Sequence, residues 1–467
     1  MSFTALHAEP LAQGETGWSF RRSFCMPRSS VLAALARSFL AGETTIDGIV
    51  ERASKTLGRN WRWLRPLARR YVESVPGETR PRERDVIQFF LQDRGFRRAW
   101  AKYCDELSVA HWLHDAQQMR PVAVAQAWDV PAIESVGALA EWFQITPDEL
   151  LWFADLKGLL YKSRSAPLLH YHYRVLGKPS GAIRLIEAPK QRLKALQRQI
   201  LTHILDKIPP HSAAHGFVRG RSVQTFIAPH VRQRVVLKMD LQDFFPSITG
   251  TRVQTIFRTI GYPESVADLL GGICTNAVPR RVWNSATADA DPEQLQEARM
   301  LHTRPHLPQG APTSPALANI CAYRVDCRLT GLARAAGAEY SRYADDLAFS
   351  GGEDFERGIE RFSTHVAAIL LEEGFAVNHR KTRIMRKGVR QRLAGLVANE
   401  RPNIARADFD RLKATLHNCM RQGPQTQNRM AHARFRTHLE GRIGWVESVN
   451  PSKGRRLRTI FKRISWS

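Results

Sequence analysis

The chain is 467 residues long, a length that accommodates about two to four subdomains. Its 43% hydrophobic and 24% charged residues describe an ordinary soluble globular protein, and no uninterrupted apolar stretch approaches the ~18 residues of a membrane-spanning helix. A net charge of +25 with a pI near 10.4 calls for a polyanionic partner.

The N-terminus, Met1 to Glu9, lacks the basic-then-apolar layout of a secretion signal. Cysteines at 25, 104, 274, 321, 327 and 419 are scattered without Cys-x-x-Cys spacing. That argues against both zinc and a disulfide framework and suits a reducing cytoplasm. From Ser29 to about Ser74, apolar residues recur at three- and four-residue spacing, which predicts helices. There Arg59, Arg62, Arg65, Arg69 and Arg70 interleave with Trp61, Trp63 and Leu64. Two readings stand: aromatics that stack on RNA bases, or core tryptophans under a solvated arginine face. Pro76, Gly77 and Pro81 break the pattern before a second helical block from about Arg84 to Trp112. Residues 1–130 therefore read as a mostly α-helical N-terminal region.

A different region begins near Val136. Thr146-Pro147-Asp148-Glu149 has the cap, first-turn proline and capping-box glutamate of a helix start. Val235-Val236-Leu237-Lys238-Met239-Asp240 predicts a buried strand ending at an acid, which is costly unless something positive meets it. Ser285 to Glu293 reads as a solvent-facing loop. Tyr343-Ala344-Asp345-Asp346, flanked by apolar and aromatic residues, suits a tight β-hairpin carrying two self-repelling carboxylates. If the Asp240 strand lies beside that hairpin, three carboxylates converge. Such a cluster can hold two Mg²⁺ about 3.5–4 Å apart, with Mn²⁺ as the alternative ion, for in-line phosphoryl transfer. From Arg401 to Ser467 there are 15 Lys/Arg against 4 Asp/Glu at helical periodicity. Arg455, Arg456, Arg458, Lys462 and Arg463 at its end are candidate RNA-phosphate contacts.

In order along the chain, Asp240 with Phe244-Phe245, Leu307-Pro308-Gln309-Gly310-Ala311-Pro312-Thr313-Ser314-Pro315, and Tyr343 to Asp346 resemble the palm of a retron-type bacterial reverse transcriptase. Lys178 to Pro189 with Leu193 to Gln197, His215 to Ser222, Asn378 to Thr382, and Gly395 to Glu400 with Gly441 to Trp445 are similar to further segments of that family. The resemblance covers roughly residues 133–467. It implies an α+β right-hand polymerase with fingers and the way into the palm at 131–235, palm at 236–390 and a basic helical thumb at 391–467. It further implies catalysis by Asp240, Asp345 and Asp346 as metal ligands, with Lys381 protonating departing pyrophosphate. Arg184 and Lys178 would clamp the triphosphate, Phe245 would gate the sugar, and Gln309 and Gly310 would lie against the incoming nucleotide.

Two motifs depart from the family. The usual Asn-Ala-x-x-His reads Phe226-Ile227-Ala228-Pro229-His230, and the usual Val-Thr-Gly reads Leu393-Ala394-Gly395. Asn276-Ala277 also occurs, but in Asn276-Ala277-Val278-Pro279-Arg280, after the first aspartate. Catalysis is untouched by these changes; RNA choice and branched priming are put in question. The expected function is an RNA-directed DNA polymerase copying part of a cognate structured noncoding RNA, primed from a 2′-OH, with dNTPs as substrates and no membrane partner. An effector or toxin protein and a role in antiphage defence complete the family expectation. The alternatives are a defence-associated reverse transcriptase with protein-primed or template-independent synthesis, and a non-catalytic RNA-binding protein of polymerase fold.

Overall fold

A computed structural model describes residues 29–75, 81–113, 118–162, 168–177, 183–284 and 291–466. They form two compact units, one ending at Gln118 and one beginning at Met119. No helix among the described residues is long and apolar enough to cross a membrane.

In the first unit, helices Ser29–Leu40, Ile46–Leu57, Leu64–Ser74, Glu83–Gln92 and Arg94–Tyr103 follow the apolar spacing. Leu35, Phe39, Ile49, Leu64, Leu67, Phe90 and Phe96 meet in one core. Asp93 starts the last of these helices by accepting the Phe96 N–H, and its carboxylate also takes Arg70 Nε and Nη2 at 2.7 and 2.9 Å. Trp61 is buried in this core while Arg62, Arg65 and Arg69 are exposed, which favours the core reading of the tryptophans. The second helical block stops at Tyr103 rather than near Trp112. Beyond it the chain turns back, and the Ala110 and His111 N–H groups donate to Thr56 O at 2.9 and 3.2 Å. The Pro76–Arg80 part of the expected break lies outside the described residues.

The second unit carries the sheets. β1 (Tyr171–Gly177) and β2 (Ile183–Pro189) form an antiparallel pair. β3 (Val235–Gln242), β4 (Ala338–Tyr343), β5 (Asp346–Gly351), β6 (Ala376–Val377) and β7 (Arg383–Arg386) make one antiparallel sheet. In it β5 lies between β4 and β3, and the far edge of β3 is shared by β7 and β6. β8 (Arg392–Leu393), β9 (Leu396–Val397) and β10 (Asn403–Ile404) form a third, small sheet. Ala394 and Gly395, both at positive φ, are the two-residue turn between β8 and β9.

β3 is buried on both faces, and its alternation sorts the chemistry. Val235, Leu237 and Met239 join Leu347 and Phe349 of β5 in the main core, with Phe257, Leu270, Leu329 and Phe362 from helices. Val236, with Ala348 of β5, points into a second core built with Leu393, Leu412, Ile443 and Leu457. Lys238 and Asp240 share the Val236 face by parity. Helix Pro147–Ala154 starts at Thr146 with the expected capping box. Residues 285–290 of the expected loop lie outside the described residues, whereas Pro292 and Glu293 already open helix Pro292–His302, capped by Asp291.

Candidate active site

β3 does not end at Asp240. It runs two residues further: β5 pairs with it up to Asp240, and on the opposite edge β6 follows β7 from Leu241, so the acid sits within the sheet. Asp240 pairs directly with Asp346 of β5, and Asp346 pairs with Tyr343 of β4 across the turn Ala344–Asp345. Three contacts hold this turn. Ala344 takes φ +55, the Leu241 N–H donates to Asp345 O at 2.9 Å, and Gly216 lies so close that a Cβ there would stand 2.5 Å from Ala344 N. All three aspartates therefore gather at one end of the β3–β5 pair.

Their charge is only partly met. Lys381 Nζ donates to both carboxylate oxygens of Asp240, at 2.8 and 2.9 Å, and Lys238 Nζ reaches Asp346 at 2.8 Å. Lys381 is delivered by the turn after β6, where the Asn378 N–H donates to Asp240 O. Burial, then the neighbouring Asp240 charge and more weakly Asp346, push the Asp345 carboxyl above the usual carboxylate range. An all-oxygen donor set in which one acid resists ionising beside two others fits a hard divalent cation.

Beneath the hairpin lies a support that the sequence pattern did not single out. Arg342 is fully buried and grips both oxygens of Asp326, with Nε–Oδ1 at 2.8 Å and Nη2–Oδ2 at 2.7 Å. It also donates to Ala344 O and Asn319 Oδ1, each at 3.1 Å, so one guanidinium ties the turn to helices Ser314–Cys321 and Tyr323–Ala335. His230 bridges Ser341 Oγ on β4 and Ser350 Oγ on β5, both at 2.7 Å. Burial drives its pKa down to about 3, so it is neutral.

The sequence pattern of the family described as reverse transcriptase (RNA-dependent DNA polymerase) matches residues 176–407. The Mx162 retron reverse transcriptase of Myxococcus xanthus is 34% identical over 375 residues, covering 74% of this chain and 71% of that one. The chain belongs to the retron-type reverse transcriptases. The Mx65 enzyme of the same organism is 43% identical over 292 residues, 62% of this chain and 63% of its own length. The Ec86 retron reverse transcriptase of Escherichia coli is 29% identical over 287 residues, 61% of this chain and 78% of that one. The matched domain is that of an RNA-directed DNA polymerase, which works with divalent metal.

In this reverse transcriptase Phe245 stands partly buried, 5.6 Å ring to ring from Phe244 and 6.1 Å from Phe217. Phe217 escaped the sequence reading. It is 53% exposed at φ +61 and its ring is 6.5 Å from Tyr343 beside the aspartate turn; that backbone conformation leaves no mark in the sequence, so only the structure singles it out. Gln309 O accepts the Glu187 N–H of β2 at 2.9 Å, and a Cβ on Gly310 would meet Glu187 O at 2.8 Å. The β1–β2 hairpin, with Arg184 exposed on it, is thereby fastened to the Gln309 loop. Lys178 lies outside the described residues. At the C-terminus Arg455, Arg456, Lys462 and Arg463 are exposed, whereas Arg458 is engaged by Glu447 at 2.6 and 3.0 Å.

Proposed function

We propose that this reverse transcriptase copies part of a cognate structured noncoding RNA into single-stranded DNA in the cytoplasm, primed by a 2′-OH, within an antiphage defence system that includes an effector protein. The observation that carries the catalytic part is the register of β3 and β5, with Asp240 opposite Asp346 and Lys381 on Asp240. In this reading residues 131–235 are fingers, 236–390 palm and 391–467 thumb, preceded by the helical extension 1–130.

Asp240, Asp345 and Asp346 would hold two Mg²⁺, whose charge lowers the pKa of the attacking hydroxyl and neutralises the leaving pyrophosphate. Lys381, whose Nζ donates to Asp240, would protonate the departing oxygen once substrate displaces it from that carboxylate. Arg184, with Lys178, clamps the triphosphate, and Gln309 with Gly310 offers backbone to the nucleotide. Phe245, braced by Phe244 and Phe217, closes the space a 2′-OH would need. Arg455, Arg456, Lys462 and Arg463 track RNA phosphates; Arg458 instead holds the thumb helices Phe435–Val449 and Pro451–Phe461 together. A groove of about 580 Å³ lined by His438, Arg442 and Trp445 would add a stacking platform.

The deciding experiment is purification from the native locus, then sequencing of co-purifying nucleic acid with and without debranching enzyme. One abundant DNA joined 2′–5′ to a structured RNA is the expected result. DNA lacking that branch would sink the priming assignment, and homogeneous RNA without DNA would sink the polymerase assignment.

A further inference from the structure

A second ionisable cluster lies apart from the aspartates and has no part in the chemistry proposed for them. One carboxylate oxygen of Glu187 and one ring nitrogen each of His302 and His306 lie within 4.8 Å of one another, and all three residues are buried. Hydrogen bonds decide which atoms remain to face the centre. Nδ1 of His302 is 2.7 Å from Ala298 O and Nδ1 of His306 is 2.8 Å from Arg304 O, so both Nδ1–H groups donate to backbone carbonyls. A neutral ring then presents a bare lone pair at Nε2. Yet His306 Nε2 lies 2.9 Å from Glu187 Oε1, an acceptor facing an acceptor. A cation must serve both, either a second proton on the line between them or a metal ion seated to one side of it, since metal bonds of about 2 Å do not fit end to end in that gap.

Burial opposes a charged His306 ring and the Glu187 carboxylate favours it, with the pKa raised on balance. His302, with its ring 4.8 Å from that of His306, is pushed down by burial and by His306, which keeps it a neutral donor. A proton on His306 would satisfy one imidazole only, whereas a metal ion would engage both rings and the carboxylate. The surroundings have the form of a metal's outer shell: each imidazole is oriented by a backbone carbonyl, and Asn276 Nδ2 donates to the other Glu187 oxygen at 2.6 Å.

We propose that Glu187, His302 and His306 form a binding site for one divalent ion of the zinc class, the donor set being two imidazoles and a carboxylate. Scattered cysteines argue against a cysteine-ligated zinc and have no bearing on this one. The ion would staple β2 to the end of helix Pro292–His302 and to the segment leading into Leu307–Gly310. It would thus hold the Gln309 loop against the β1–β2 hairpin, where Glu187 N–H already meets Gln309 O.

The test is elemental analysis of the full-length protein, freed of any histidine tag and dialysed into Mg²⁺ buffer. Zinc near one equivalent per chain is expected. It should persist in Asp345→Asn/Asp346→Asn, because those carboxylates are the other place a divalent ion could sit. Glu187→Gln and His302→Gln should each weaken zinc binding by at least about tenfold, read by competition with a chromophoric chelator. Absence of zinc from the parent protein, or its loss with the two aspartates, overturns the site whether or not the Glu187 and His302 variants fold.

Discussion

The aspartate turn and the layer directly beneath it treat charge in opposite ways. In the turn, Asp345 is forced towards its neutral form by burial and by Asp240, and among the described residues two lysines answer three carboxylates. Beneath it, every strong group is answered: Arg342 by Asp326, Asn319 and Ala344 O, and His230 by two serine hydroxyls. The unsatisfied layer is the one proposed to accept metal and substrate. The satisfied layer ties the turn to two helices through Arg342 and joins β4 to β5 through His230.

That contrast breaks most visibly if the turn is neutralised. Asp345→Asn/Asp346→Asn should lower DNA synthesis by more than about 10³-fold in a primer-extension assay, since charge stabilisation of the transferring phosphoryl group dominates the lowering of the barrier. Removing an anion from the layer beneath should act on folding instead. Asp326→Ala strands a buried guanidinium and should cost about 3–5 kcal/mol in denaturant unfolding. Lys381→Met tests the boundary between the layers: kcat should fall by roughly 10²-fold, and because the buried Asp240 carboxylate loses its lysine, the unfolding midpoint should also fall, though by less than in Asp326→Ala since Lys381 itself is half exposed.

Acid and base should then separate the two layers by sign. A carboxyl whose pKa is raised on folding favours the native state below its unfolded pKa, and that contribution is lost as pH rises through the raised value. Asp345→Asn should therefore be at least as stable as the parent at neutral pH while inactive, a result checked by thermal unfolding across pH. His230 runs the other way. Its depressed pKa leaves its contribution intact above 6.5 and removes it as pH falls from 6.5 towards about 3, a loss that His230→Asn should not show.

The local chemistry was legible in the chain itself. The Tyr343–Asp346 turn, the apolar run before Asp240 and the Thr146 capping box each depend on neighbours a few residues away, where periodicity and turn preference speak directly. Even the retained His230 was visible as a motif remnant, although not as the bridge between β4 and β5. Misjudged boundaries had tertiary causes: β3 passes Asp240 because β6 takes over its edge, and the helical block stops at Tyr103 because the chain returns to Thr56.

The sequence by itself determined that this is a basic protein with a carboxylate hairpin and a helical N-terminal region, since composition and short-range pattern encode those features; the α+β class was implied by the family resemblance. Only the tertiary structure decided that Arg342 serves Asp326, that Arg458 pairs with Glu447, and that Glu187 lies beside two histidines more than a hundred residues away. Such pairings follow from strand register and helix packing, which bring together side chains whose spacing along the chain carries no signal.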